Sequence, residues 1–331
     1  MRITYYVHDL TFPLREGVRK QAWWLAQAMK KRGHDVSIVC TSSQRKKIIV
    51  EGIPIAYGSA LGIASLQTDV IHYISHPTPL IIPLLLRARA RKQVMTLFDG
   101  YLNGFWKRPW SGLVSRLVSK KVHSITLQTE YQKKLFTSAK IDAHVHTIPP
   151  IIPSFKRKGK KSKKASLLFM THLHPLKGIY EVLGAYDFLA PQFPGLVLTI
   201  ANSGITHHSA VLQEIRRRDD KNIILKTVVD PAEELSHAWV YLYPIQSAQE
   251  TFSVPLSLIE SIQVKTPWIS CDVGGLREYF DAPFLLPVHD VHALAACVAR
   301  VLRKPSVGKL LKNINNKKTI RAFEELYEQE D

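Results

Sequence analysis

Short apolar strands and amphipathic helices alternate along this chain, and the alternation occurs in two successive runs. RITYYV (2–7) has the β-branched and aromatic content of a buried strand, and Ala22, Leu25, Ala28 and Met29 form one helical face. Gly33 stops that helix after the basic turn Lys30-Lys31-Arg32, and DVSIVC (35–40) is the next strand. The pattern predicts further strands at 69–74, 92–98, 122–128 and 143–149, with helices within 78–90 and over 110–120 and 129–138. It restarts with strands at 166–171, 196–201, 222–226, 239–244 and 266–271 and helices over 178–189, 209–218, 231–237, 255–263 and 290–303. Such alternation implies parallel sheets covered by helices on both faces. The fold expected is therefore α/β, with two Rossmann-like doubly wound domains facing each other across a cleft.

Between the two runs lies Lys156-Arg157-Lys158-Gly159-Lys160-Lys161-Ser162-Lys163-Lys164. A block of like charge repels itself and resists burial, so it reads as a boundary or an exposed loop. The domains expected are 1–154, a basic linker or loop at 155–164, 165–305, and a C-terminal helical segment, 306–331, that crosses back to the first domain. Of the net charge of +18, residues 1–154 carry 22 Lys/Arg against 8 Asp/Glu, the basic block 7 against none, and 165–331 16 against 19. At 331 residues with 46% hydrophobic and 22% charged residues, the chain has the composition of two globular cores, which argues against disorder. Cys40, Cys271 and Cys297 are too scattered for a disulfide framework or a Cys-x-x-Cys metal site. MRITYYVHDL turns polar before a signal-peptide core could form, and PLIIPLLL (79–86) is too short to span a bilayer. The expected location is cytoplasmic, with any membrane contact peripheral.

The most informative stretch is 244–280, PIQSAQETFSVPLSLIESIQVKTPWISCDVGGLREYF. A strand ending in Pro is followed by an acidic residue, a Phe-bearing turn, a helix with a second Glu, a Pro-led strand and a Gly-Gly turn before another Glu. This order resembles the nucleotide-sugar half of GT-B glycosyltransferases, in particular the retaining family 4 (group 1). The resemblance extends to GVRKQAWWLAQAMKKRGHDVSIV, DVIHYISHPTPL, VMTLFDG and LLFMTHLHPLKGIYEVLGAY. It implies a sugar transferred from a nucleoside-diphosphate-sugar to an acceptor with retention of configuration, and no resident cofactor or metal.

The residue types suit that chemistry. Charge grows on the leaving diphosphate, so cations and backbone N–H groups are needed there. Lys177, with Gly178 opening a helix, is the best phosphate ligand, because a cation beside a helix N-terminus attracts anions. Gly274 and Gly275, followed by Leu276, let the backbone approach the diphosphate or simply make a tight turn. Glu260 matches the family glutamate that accepts from ribose hydroxyls. Glu250 stands ten residues before Glu260 instead of the family's eight. It is read as displaced by an insertion around Ser253-Val254-Pro255 yet still facing the donor sugar, the alternative being a lost role. Where the family has an arginine after the first strand of this domain, Thr171-His172-Leu173 stands here, so His172 is the substitute ligand. Asp99 with Gly100 takes the place of a His-Asp pair, and Gly17, after Glu16, remains of a glycine-rich loop. Lys177, Glu250 and Asp99 are the expected catalytic set. The pairs His144/His146 and His172/His174 each share a strand face, but no spacing supplies a third ligand, so no metal site is expected.

The basic front half points to a partner. Trp110, Leu113, Val114, Leu117 and Val118 make one helical stripe, which either packs on the sheet or faces lipid, and Phe105, Trp106, Lys107 and Arg108 precede it in a loop. Arg87, Arg89, Arg91 and Lys92 follow PLIIPLLL on the expected helix. Because the front domain of GT-B enzymes binds the acceptor, a basic one implies a lipid-linked or saccharide acceptor and an anionic membrane surface. The alternatives are a non-catalytic sugar-nucleotide binder and a nucleic-acid-binding protein. No nucleic-acid motif accompanies the charge, and no nucleic-acid partner is expected.

Overall fold

The computed structural model describes residues 1–14, 16–42, 45–59, 67–74, 79–98, 111–137, 142–152, 154–207, 209–227, 229–250, 254–312 and 314–329. The chain divides into two compact units, Met1–Pro153 with Ile314–Asp331, and Ser154–Asn313.

In the first unit β1 (Arg2–Val7) is buried along all but its first residue, as a central strand covered on both faces must be. The helix α1 (Gly17–Lys31) buries Ala22, Trp23, Leu25, Ala26 and Met29, the i, i+3, i+4, i+7 spacing of one helical stripe. It ends where Gly33 turns left-handed, with φ of 88°. Next come β2 (Asp35–Thr41), β3 (Lys46–Val50), β4 (Ile53–Gly58), β5 (Gln67–Ile74), α2 (Ile82–Arg87), β6 (Arg89–Thr96), α3 (Ser111–Lys121), β7 (Ser124–Leu127), α4 (Glu130–Thr137) and β8 (His144–Thr147). The sheet order is β3-β4-β2-β1-β5-β6-β7-β8, and every pairing is parallel except β3 with β4.

That hairpin was not expected from the alternation. Its two-residue turn, Glu51-Gly52, holds both residues at positive φ, 48° and 72°, the geometry that suits strand twist. A second difference concerns the cations after PLIIPLLL. The helix there stops at Arg87, and Arg89, Arg91 and Lys92 belong to β6.

The last helix, α10 (Asn316–Glu328), belongs to this unit. Arg91 Nη2 donates to the Tyr327 carbonyl (2.9 Å) and Lys92 Nζ to the Gln329 carbonyl (2.9 Å). Two strand cations thus satisfy carbonyls that the end of a helix leaves open. Tyr327 is fully buried, with its hydroxyl 2.6 Å from His72 Nδ1 and 3.3 Å from the Tyr5 hydroxyl. His72 Nε2 lies 2.7 Å from Thr96 Oγ1. Burial lowers the His72 imidazole to about 3, so it stays neutral and forms a polar lock inside the core. At the other end of the helix, Asn316 and Gln21 each hold an outgoing chain residue. The Ile152 N–H donates to Asn316 Oδ1 (2.8 Å) and the Ile151 N–H to Gln21 Oε1 (2.8 Å).

The second unit contains β9 (Ser166–Leu173), α5 (Ile179–Leu189), β10 (Val197–His207), α6 (Ser209–Arg217), β11 (Ile223–Lys226), α7 (Pro231–His237), β12 (Val240–Tyr243), α8 (Leu256–Gln263), β13 (Trp268–Cys271), β14 (Leu285–Leu286) and α9 (Val291–Arg303). Its sheet is parallel throughout, in the order β11-β10-β9-β12-β13-β14. The basic block is a loop of this unit. Lys158 Nζ pairs with Asp230 (2.6 Å), and the Trp239 Nε1–H donates to the Ser162 carbonyl (2.8 Å).

Replacing Tyr327 by Phe keeps the ring and removes the hydroxyl that His72 and Tyr5 share. A loss of about 1–3 kcal/mol is expected, the cost of buried polar groups left without partners. Urea unfolding followed by circular dichroism would measure it.

Candidate functional site

In the second unit β9 and β12 are neighbours, and the connections leaving them run to opposite sides of the sheet, toward β10 and toward β13. Such a switch point opens a crevice at the carboxyl ends of the strands, where ligands bind in doubly wound sheets.

Three short segments meet this edge. After β9, His174 caps a 3-10 turn, Pro175–Lys177, its Nδ1 accepting from the Leu176 N–H (3.2 Å). Gly178 follows in the left-handed conformation with φ of 83°, and α5 begins. A Cβ on Gly178 would fall 1.9 Å from the Pro244 carbonyl oxygen, so only glycine fits both the angle and the space. Lys177 is 9% exposed, its stem buried beside the N-terminus of α5. His172 sits two residues before His174 on the last part of β9.

After β12 come Pro244, Ile245 and Gln246 and then a 3-10 turn, Ala248–Glu250. Glu250 ends that turn, but its side chain lies outside the described residues. Beyond β13, Gly274 takes a positive φ of 59°, and Gly275 leads into a 3-10 turn at Leu276–Glu278. Leu276 contributes to the turn itself, with a fully buried side chain and an N–H that donates to the Val273 carbonyl (3.3 Å). Glu260, one turn into α8, is 4% exposed. Burial first, then Tyr243, drives the Tyr241 hydroxyl well above its ordinary range, and the Glu260 carboxylate adds to it.

The structure therefore brings His172, Lys177, Gly178, Gly274 and Gly275 to one edge of one sheet, with Glu260 on the helix that descends from it. Gly17 lies in the other unit as the first residue of α1. Beside it Arg19 is held by Asp9 (2.7 Å) and Glu16 (3.3 Å). Asp99 with Gly100, the loop Phe105-Trp106-Lys107-Arg108 and Trp110 lie outside the described residues.

The electrostatics of the edge follow from burial. His172 is lowered to about 4, chiefly by desolvation and then by the charges of Lys177 and His174. A neutral imidazole, a buried ammonium and a helix N-terminus together give this edge an electropositive character. In the first unit, burial and then His144 and Lys92 hold His146 below the ordinary histidine range. Among the described residues no three His, Cys, Asp or Glu side chains gather where a metal could sit.

The expectation missed Gln246, its partner His289, and Glu181, which pairs with the His289 ring. Their bonds join residues far apart in the chain, which no local pattern reveals.

A family model described as glycosyl transferases group 1 matches residues 151–321. A curated relative, a phosphatidyl-myo-inositol mannosyltransferase of Mycolicibacterium smegmatis, is 23% identical over 329 residues, covering 88% of this chain and 82% of the relative. Among solved structures, the Anabaena protein HepE in complex with UDP-glucose is similar with a TM-score of 0.68 and 11% identity over 91% of this chain and 90% of that one. The pneumococcal O-GlcNAc transferase GtfA with UDP and GlcNAc has a TM-score of 0.71 and 12% identity over 99% and 98%. A TarM variant of S. aureus with UDP has a TM-score of 0.74 and 9% identity over 99% and 100%. The two parallel-sheet α/β domains are those of GT-B glycosyltransferase structures.

Because the folded imidazole of His172 titrates near 4 and an unfolded one near 6.5, its contribution to stability falls as pH drops through that window and levels off below it. In an NMR titration Lys177→Ala should raise the His172 transition toward 6.5 by removing a repelling charge. Saturating inorganic pyrophosphate should also raise it.

Proposed function

The chain belongs to the group 1 glycosyl transferases, and from that membership we propose that its second unit binds a nucleoside-diphosphate-sugar and that the enzyme passes the sugar to an acceptor with retention of configuration. The observation that carries this reading is that the Lys177 turn, leaving β9 at the switch point, and the Gly274-Gly275 turn, leaving β13, lie at the same carboxyl edge of one parallel sheet. The ammonium of Lys177 and the free N–H groups at the start of α5 take the diphosphate. Glu260 accepts from the ribose hydroxyls, and His172 stands where the family's arginine would meet the phosphates. Glu250 serves the sugar. Asp99 and Gly17 keep the roles that the family resemblance implies for them.

Transfer breaks the bond between the anomeric carbon and the diphosphate oxygen, and the electron pair leaves with the diphosphate. The acceptor oxygen bonds the same face of that carbon, and its proton passes to the departing phosphate oxygen. Charge stabilisation on the leaving group supplies the acceleration. A resident metal or a dedicated carboxylate base has no part in this scheme.

A membrane surface is the second part of the proposal, on the cytoplasmic face, with a lipid-linked acceptor. Supporting it, Leu86 of α2 and Leu113 of α3 are exposed at 53% and 58%, where the stripe reading allowed for Leu113 to pack inward. Arg87, Arg116, Lys120 and Lys121 lie exposed on the same two helices. Apolar side chains among cations are what an anionic interface binds. The relative named for phosphatidyl-myo-inositol points the same way. Among the described residues no helix is long and apolar enough to cross a membrane.

Incubating the protein with a panel of nucleoside-diphosphate-sugars and bacterial lipid extract should release one nucleoside diphosphate, and Lys177→Ala should reduce that release by at least about tenfold. Turnover with no donor, despite binding, would favour a non-catalytic sugar-nucleotide binder. In flotation assays the protein should rise with phosphatidylglycerol vesicles and not with phosphatidylcholine ones, and Leu86→Glu with Leu113→Glu should leave it at the bottom of the gradient.

A further inference from the structure

We propose that Gln246 is a positioning residue that holds the Lys177 turn in the shape that binds a diphosphate; the proposal rests on the nucleotide-sugar reading above. Gln246 is 7% exposed and touches each of the segments that end at this edge. Its backbone N–H donates to the Leu176 carbonyl (2.9 Å), immediately before Lys177. Its side-chain Nε2 donates to the Pro244 carbonyl (2.5 Å), the atom against which Gly178 packs. Nε2 also lies 3.5 Å from Cys271 Sγ at the end of β13. Its Oε1 accepts from the His289 N–H (2.5 Å) beyond β14.

The orientation of the amide is determined by its neighbours. A backbone N–H only donates and a carbonyl only accepts, so Oε1 must face His289 and Nε2 must face Pro244. The far limb of the brace is held with equal definition. His289 takes a left-handed φ of 56°, uncommon for a residue with a Cβ. Its Nδ1 lies 3.1 Å from Glu181 Oε1 in the first turn of α5. The Lys177 turn is thereby gripped on one side by Gln246 and Pro244, and the helix it opens is gripped on the other by His289.

These groups hold the turn and the helix after it, and this arrangement makes a specific demand. A short turn that must present an ammonium and helix N–H groups to one anion gains its affinity from being held in place before binding. Loosening it should weaken contacts to the phosphates while leaving contacts made elsewhere in the crevice unchanged.

The variant to test is Gln246→Met, which keeps length and volume and removes all three side-chain hydrogen bonds. Binding of UDP and UMP, and of GDP and GMP, is measured by calorimetry for the unsubstituted protein, Gln246→Met, Lys177→Ala and the double variant. Gln246→Met should lower the ratio of diphosphate to monophosphate affinity by about tenfold, the scale of one well-placed interaction. In the double variant the two losses should fall short of additive. Hydrogen exchange supplies a readout without ligand, and amides of 176–182 should exchange faster in Gln246→Met while those of α6 do not change.

An unchanged ratio, an equal loss for both nucleotides of a pair, or unchanged exchange over 176–182 would overturn the positioning role. Failure of the unsubstituted protein to bind either diphosphate would overturn the nucleotide-sugar reading, and the positioning role with it. The two failures are therefore distinguished by whether the unsubstituted protein binds.

Discussion

The backbone of Gly178 lies directly against the carbonyl of Pro244, and the shape of the crevice edge in the second unit depends on that approach. It joins the segment leaving β9 to the segment leaving β12 at the one place where adjacent strands send their connections to opposite faces. A side chain at 178 would push them apart. With glycine there, the 3-10 turn can close, Lys177 can be buried beside the first turn of α5, and the helix N–H groups point into the crevice. The left-handed angle and the missing Cβ are two demands met by one residue.

The electrostatic state of the edge follows from the same packing. Burial that holds Lys177 in place also desolvates His172, and the ammonium then helps keep that imidazole neutral. An arginine at this position would be a permanent charge. Histidine leaves the resting site with one cation fewer and allows a second to appear when an anion raises its proton affinity. On the proposed reading, diphosphate binding at this edge is linked to proton uptake by His172 in mildly acidic solution.

Much of the architecture was legible because strands of a doubly wound sheet are short, apolar and spaced by helices. β1, β2, β9, β12 and β13 are each recognisable from their own residues. The β3–β4 hairpin was missed because its strands, half exposed at the edge of the sheet, lack the apolar density of the central ones. Its Glu51-Gly52 turn was the available signal. Arg89, Arg91 and Lys92 were placed on a helix because charge after an apolar run reads as a helix end, yet two of them are held by α10, more than two hundred residues away. Lys177, Gly178, Gly274 and Gly275 were legible through residue type and resemblance. Gln246 was not, because its significance lies entirely in bonds to Leu176, Pro244 and His289.

Charge placement changes most when the units are drawn as they fold. Read along the chain, the front half and the basic block hold all the excess and the rest is slightly acidic. The structure assigns the basic block to the second unit and the acidic C-terminal helix to the first. By residue count the first unit then carries 25 Lys/Arg against 13 Asp/Glu and the second 20 against 14, so the excess is shared as +12 and +6. Part of the first unit's charge is also engaged internally, Arg32 with Glu324, and Arg91 and Lys92 with the end of α10. Net charge therefore carries little of the argument for a membrane surface. On α2 and α3 exposed leucines stand among exposed cations, the combination of attraction at a distance and apolar area to bury that lipid binding needs.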